Sequence, residues 1–327
     1  MGRSLVTGGC GFVGSHLVKR LLDDGEDVTV VDAFPPAKHL GVVGEHARFV
    51  QGDITDRDTL LQACQGVDTI YHLAAVVGVD RYLSAPLEVI DTAMVGTRNV
   101  LDAATATGAR VLVTSTSEVF GKNPNVPWKE DDDRVLGSTA ADRWTYSTSK
   151  ALTEHLVFAY GRQHGTAATI VRYFNVYGPR QRPAFVVSRS IHRALNGLPT
   201  VVYDDGGQTR CFTYVEDAVD GTVRAARSDK GIGEAFNVGS MTETTVSEVV
   251  ALIGSLTGTG PASKVDTATA LGRTYQDLAR RVPDNTKARK VLGWSCPTTL
   301  TEGLSRTIEW ARTAPWWLDQ ADSGAAA

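Results

Sequence analysis

Cysteine is scarce and scattered. The four residues Cys10, Cys64, Cys211 and Cys296 in a chain of 327 are too few for a disulfide scaffold and lack the close spacing of a zinc site. A reducing cytoplasm is the compartment they fit, and no metal is expected. Long apolar runs are absent too: nothing approaches the roughly 18 residues of a membrane span. The first strand-like run begins almost at Met1, so a signal peptide is not expected. Gly2 has no Ser or Thr at position 6, where Val6 stands, so the myristoylation pattern is broken. Basic charge is in short supply, with 33 Lys and Arg against 37 Asp and Glu for a net charge of −4. No dense Lys/Arg run corrects this locally, which argues against a nucleic-acid partner. The hydrophobic share, 42%, is ample for a sizeable core.

Short β-branched runs alternate with longer helical patterns. "SLVTG", "HLVKRLLDDG", "DVTVVDA", "TLLQACQG" and "TIYHLAA" read as βαβαβ. The rhythm continues through "RVLVTSTS", "YSTSKALTEHLVFAYGRQHG" and "ATIVRYF". Strands covered on both faces by helices form a parallel sheet and read as continuous apolar runs. After "NVYGPR" the pattern becomes irregular, with helices expected near 185–196, 246–257 and 302–312 and a short strand "TVVY". The expected fold class is therefore α/β: a doubly wound parallel sheet of Rossmann type with a smaller C-terminal lobe, to which the resemblance described below gives substrate binding. Residues 1–175 would form the dinucleotide domain, with a later segment of about 211–240 returning to it. Residues 176–315 would form mainly the second lobe, and 316–327 a disordered tail.

The first chemical motif is "TGGCGFVG", which sets Gly8, Gly11 and Gly14 between a strand and a helix. Glycines there permit a tight turn and close approach of backbone N–H groups to a pyrophosphate. The following helix, opening with Phe12 and Val13, lends its positive N-terminus. Asp32 ends the next strand about 20 residues on, where the ribose-binding acid of such a fold belongs. An aspartate there repels a 2′-phosphate, and no arginine follows it, so NAD is expected rather than NADP. "GDIT" and "HLAA", with Asp53, Ile54, Leu73, Ala74 and Ala75, lie at later strand ends on the face where cofactors bind. His72 reads as structural.

The second motif is "YSTSK". Tyr146 and Lys150, four apart, share a helix face, and a lysine cation near a phenol favours phenolate. Tyr146 could then act as a general base. Just upstream, "TSTSEVFG" ends a strand with Ser115, Thr116, Ser117 and the carboxylate Glu118. The plain reading is a capping loop; the sharper one is an active-site floor.

Together these residues resemble the extended short-chain dehydrogenase/reductase family that modifies nucleotide-sugars, over nearly the whole chain. "VRYFNVYGPRQ", "FTYVEDAVDG", "FNVGS" and "LGW" agree. The resemblance implies that Ser115, Tyr146, Lys150 and Tyr173 border NAD. It also implies that Asn175 and Arg273 touch a diphosphate and that Tyr203 lies near the nucleobase. The "RQRP" cluster, with Arg182, either touches substrate phosphates or lines a loop. Ala93 stands where the family commonly has Asn, and a structural effect alone is expected. The triplet Thr116-Ser117-Glu118 resembles UDP-glucuronate decarboxylases and GDP-mannose dehydratases; Arg210 in "TRCF" and Arg143-Trp144 before Tyr146 resemble the decarboxylases. The implied activity is C4 oxidation of UDP-glucuronate, loss of carbon dioxide, and either re-reduction to UDP-xylose or release of the 4-keto-pentose. Glu118 with Arg210 would manage the C6 carboxylate and the proton delivered to C5, although Arg210 could instead contact the diphosphate. The alternatives are a 4-epimerase of a uronate or hexose and, further off, a sugar dehydratase. A homodimer through helices near 92–107 and 146–164 is carried over with the family.

Overall fold

In the computed structural model, which describes residues 2–37, 43, 45–266 and 278–322, seven strands form one parallel sheet. They are β1 (Arg3–Thr7), β2 (Asp27–Asp32), β3 (Arg48–Gln51), β4 (Thr69–His72), β5 (Arg110–Thr116), β6 (Ala168–Tyr173) and β7 (Ala235–Val238). Their spatial order is β7-β6-β5-β4-β1-β2-β3, with every neighbouring pair parallel.

The apolar runs explain the arrangement. Adjacent residues on a strand point to opposite faces, and here both faces are covered. Leu5, Val31, Val111 and Ile170 enter one core cluster. Their chain neighbours Val6, Val30, Leu112 and Val171 enter another. A strand with alternating polarity could not satisfy both layers.

From β1 the chain winds outward through β2 to β3, then crosses back to β4 on the other side of β1. The crevice at this reversal, beyond the carboxyl ends of β1 and β4, is where ligands bind in open α/β sheets. It is bordered by the Gly8–Gly14 turn with helix α1 (Phe12–Asp23), and by the segment after His72. Helix α2 (Thr145–His164) packs against β5 and β6 and carries Tyr146 and Lys150.

Apart from β7, the polypeptide after Tyr173 forms short two-stranded pieces and helices, among them those expected from sequence. These include α3 (Val186–Leu195), Val246–Thr257 and Leu300–Arg312, with the short strand Val201–Tyr203. The bend containing Ala93 is one wide π turn, Thr92–Gly96, running straight into the helix Thr97–Thr107.

One tail expectation is corrected. Residues 316–322 are tied down: α4 (Pro315–Leu318) buries Trp317 to 1% exposure, and Asp322 makes ion pairs with Arg189 and Arg193. Two adjacent tryptophans supply enough apolar surface to dock so short a segment. Residues 323–327 and Arg273 lie outside the described residues.

Candidate active site

The glycine turn is built by contact. Gly8 has φ +73°, and a Cβ on it would sit 2.7 Å from the backbone nitrogen of Ala74, so the turn packs directly on the segment leaving β4. The Leu73 N–H bonds the Thr7 carbonyl and the Ala74 N–H bonds the Thr7 hydroxyl. A Cβ on Gly14 would lie 2.1 Å from the Gly8 carbonyl, whereas one on Gly11 would meet only that carbonyl at 3.2 Å. Gly14 is therefore needed for packing, and Gly11 keeps a space open. Helix α1 has no side-chain cap, and the N–H groups of Phe12 and Val13 have no carbonyl within the helix to bond. Open space in front of unclaimed donors fits a pyrophosphate. Asp32 ends β2 beside this turn, accepting from the Cys10 and Phe34 N–H groups at 2.9 and 3.1 Å. These residues fit NAD as the sequence suggested. Asp53 is turned into its own loop, accepting the Thr55 N–H and hydroxyl, and Ile54 is buried beneath Gly96.

His72 is structural. Its ring nitrogens pair with the hydroxyls of Thr7 and Thr97 at 2.8 and 3.1 Å, and burial pulls its pKa down to about 3.

The end of β5 and the start of α2 meet at Tyr146. The Thr116 hydroxyl bonds the phenol and also caps the single 3-10 turn Ser117–Phe120 by accepting the Glu118 N–H. The Tyr146 ring stacks on Tyr82, centroids 4.8 Å apart and planes within 9°. Burial, with smaller contributions from Tyr82 and Glu118, raises the phenol pKa well above its ordinary value. The lowering expected from Lys150 is not produced by the protein alone. The lysine ammonium donates to the Thr114 carbonyl at 3.0 Å, and burial pulls its pKa down to about 8 against the opposing charge of Glu154.

Ser115 is not free toward the crevice. Its hydroxyl donates to Glu154 at 2.6 Å, and Glu154 also takes a two-pronged grip from Arg172 at 2.9 and 2.7 Å. Tyr173 ends β6 with its hydroxyl against that of Thr222.

Glu118 departs from the sequence expectation in its partners. Arg143 donates to one carboxylate oxygen at 2.5 Å and Arg281 to the other at 2.6 Å, with the Ser147 hydroxyl at 3.3 Å. Their side chains are only 7 and 9% exposed. Despite burial, the two guanidiniums draw the Glu118 pKa down to about 2. Arg210 donates to the carbonyls of Thr209 and Leu278. The sequence expectation has Glu118 and Arg210 managing the substrate carboxylate together; the protein groups that bond Glu118 are Arg143, Arg281 and Ser147. Arg143 was visible beside Tyr146; nothing in "ARRVPD" marked Arg281, because its partner lies 163 positions away. Glu154 did leave a signal, four residues after Lys150 on the same helix.

Arg210 instead lines a cavity of about 240 Å³ with Asn175, Tyr203, Gln208, Arg189 and Arg193. Asn175 sits at φ +39°, and its buried amide nitrogen has no hydrogen-bond partner. Three residues assigned to the nucleotide from sequence, Asn175, Tyr203 and Arg210, are thus together. Arg182 reaches back to the Val77 carbonyl at 3.0 Å and lies over the Phe185 ring.

A dinucleotide turn at the switch point of a parallel sheet, facing a Thr–Tyr–Lys cluster, defines a nicotinamide-dependent enzyme of the short-chain dehydrogenase type. The chain belongs to the NAD dependent epimerase/dehydratase family, which it matches over residues 4–239. It is 40% identical to a UDP-N-acetyl-alpha-D-glucosaminuronate decarboxylase of Bacillus cytotoxicus, over 95% of this chain and 98% of that one. It is 36% identical to UDP-glucuronic acid decarboxylase 1 of Xenopus tropicalis, over 95% of this chain and 72% of that one. Among solved structures it superposes with TM-score 0.84 on UDP-glucuronic acid 4-epimerase of Bacillus cereus in complex with UDP-glucuronic acid and NAD. That protein is 30% identical, and the match covers 95% of this chain and 99% of the other.

Proposed function

We propose that this protein is an NAD-dependent decarboxylase of a UDP-linked hexuronate, with UDP-glucuronate as substrate. The observation that carries the reading is Glu118 clamped between Arg143 and Arg281 beside Tyr146. A 4-epimerase needs hydroxyls to move a proton; a guanidinium pair set by a carboxylate suits a substrate that brings a carboxylate of its own. The decarboxylase relatives agree with it.

Bound NAD would supply the hydride acceptor at C4 and a positive ring near Tyr146. Tyr146 takes the O4 proton as the C4 ketone forms, and Thr116 donates to the same oxygen. With a ketone β to the C6 carboxylate, loss of carbon dioxide leaves an enolate whose charge rests on O4, where these donors stabilise it. A proton from solvent at C5 then gives the 4-keto-pentose, which either leaves or takes the hydride back at C4 as Tyr146 returns the proton to O4, giving UDP-xylose. With a pKa of about 2, Glu118 holds no proton to give at neutral pH. Its work is to fix Arg143 and Arg281, which take the substrate carboxylate. Lys150 stays charged through Glu154 and holds the ribose. Arg210, with Asn175 and Tyr203, serves the nucleotide. The cofactor residues are Gly8, Gly11 to Gly14, Asp32, Asp53, Ile54, Leu73 to Ala75 and Tyr173. The first lobe, 1–175 with 211–240, carries NAD, and 176–315 mainly the nucleotide-sugar.

The working unit in this reading is a cytoplasmic homodimer. Exposed Leu87, Val95 and Leu152 on the helices around 86–107 and 145–164 support a self-association face, and four unpaired cysteines support the compartment.

The test is incubation with UDP-glucuronate and NAD followed by mass spectrometry. Loss of the mass of carbon dioxide is expected, and an isomeric sugar of unchanged mass would replace this reading with the epimerase. A parallel reaction with UDP-N-acetylglucosaminuronate decides whether the substituent at C2 is discriminated.

A further inference from the structure

The last described residues pack behind the 240 Å³ cavity, bonding to Gln181, Arg189 and Arg193, which line it. Trp317 anchors them: its indole N–H donates to the Gln181 carbonyl at 2.8 Å. The Leu318 carbonyl is held by the His192 ring at 3.0 Å and the Asn196 amide at 3.1 Å. These bonds bring Asp322 to one face of α3. There its carboxylate accepts from Nε of Arg189 at 2.6 Å and from Nη1 of Arg193. Both arginines, four apart on α3, line the cavity. Arg189 also donates through Nη1 to the Tyr203 hydroxyl at 3.0 Å, and Arg193 through Nε to the Pro199 carbonyl at 2.7 Å. A continuous chain of bonds thus runs from Asp322 through Arg189 to Tyr203.

We propose that Asp322 is a positioning residue for nucleotide binding, presetting Arg189 and, through it, Tyr203 for a nucleoside diphosphate in the cavity. This rests on the reading of that cavity as the nucleotide site. A free arginine samples many rotamers, and ordering it during binding costs affinity. Two guanidiniums locked by one carboxylate have met that cost on folding, and both residues line the cavity. Asp322 touches no reacting atom, so its effect falls on binding and not on chemistry.

The experiment uses the full chain, titrated with UDP by calorimetry and assayed with UDP-glucuronate. Asp322→Asn should weaken UDP binding and raise KM by roughly 3–10-fold, with kcat little changed and a lower melting temperature, since two largely buried guanidiniums lose their counter-charge. Asp322→Glu should recover part of the affinity. Arg189→Gln should show a similar loss, and the double variant should lose less than the sum of the two single losses, because Asp322 acts in part through that arginine. Unchanged or tighter UDP binding in Asp322→Asn, or fully additive losses in the double variant, would overturn the inference while leaving the cavity assignment intact. A parent protein that does not bind UDP would overturn both.

Discussion

Glu118 and Glu154 are two largely buried carboxylates with different partners: one is gripped by Arg143 and Arg281, the other by Arg172 and Ser115 with Lys150 one turn away. Replacing Glu118 with Gln keeps the shape but loosens both arginines. We expect kcat for decarboxylation to fall about 10²-fold, the scale of a misaligned reacting group, with NAD binding retained. The melting temperature should also drop, since a buried guanidinium without its counter-charge is costly; undiminished decarboxylation by Glu118→Gln would sink the clamp's role. Glu154 makes a different prediction. Lys150 is faced by Glu154 on its own helix, by the Thr114 carbonyl on β5 and by His72 on β4, which burial keeps neutral. Burial pulls the lysine down and Glu154 resists, leaving its pKa at about 8. A cationic lysine loses its charge as pH rises through its pKa. In Glu154→Gln that pKa falls further, so the alkaline limb of kcat/KM should move to lower pH, by about one unit. A pH–rate profile superposable on the parent's would exclude the coupling.

At the scale of elements, the strand–turn–helix from β1 to α1 divides its glycines by task. Gly14→Ala would drive a Cβ to 2.1 Å from the Gly8 carbonyl, and backbone cannot yield as a side chain does. That variant should lose stability by about 1–3 kcal/mol before any cofactor is added, seen as a lower melting temperature. Gly11→Ala meets only one atom at 3.2 Å, so it should fold nearly as the parent does and lose NAD affinity on titration. If both variants behaved alike, the division between packing and cradle would be wrong. The turn was legible from spacing alone, yet which glycine does which task was not, because the contacts of Gly14 and Gly8 with their neighbours arise only after β1, α1 and the segment after β4 close on one another. The π turn Thr92–Gly96 is similar: sequence flagged Ala93 as a departure, and packing of Gly96 on Ile54 accompanies the bend.

For the molecule as a whole, the proposed homodimer makes one prediction about a face. Leu87 is 73% exposed and Leu152 47%, on helices that pack on one another, and a contiguous exposed apolar patch is what marks a contact surface. Under the proposed homodimer, Leu152→Glu should yield a monomer by light scattering while leaving the fold intact by circular dichroism. A dimer that survives the charge would place the contact elsewhere.

What the sequence determined by itself is the part governed by local pattern. Doubly buried strands, the glycine turn ending at α1, Asp32 at the end of β2, and the helical spacing of Tyr146 and Lys150 all follow from periodicities of two and 3.6 residues and from backbone freedom at glycine. The tertiary structure decided which charges meet. Arg281 reaches Glu118 across 163 positions, Arg210 turns to the cavity instead, and Asp322 returns from near the chain's end to Arg189. No local pattern records such pairings, since a long charged side chain has no periodic signature. Its partner is set only when distant segments are brought within a few ångströms and buried charge must find its opposite.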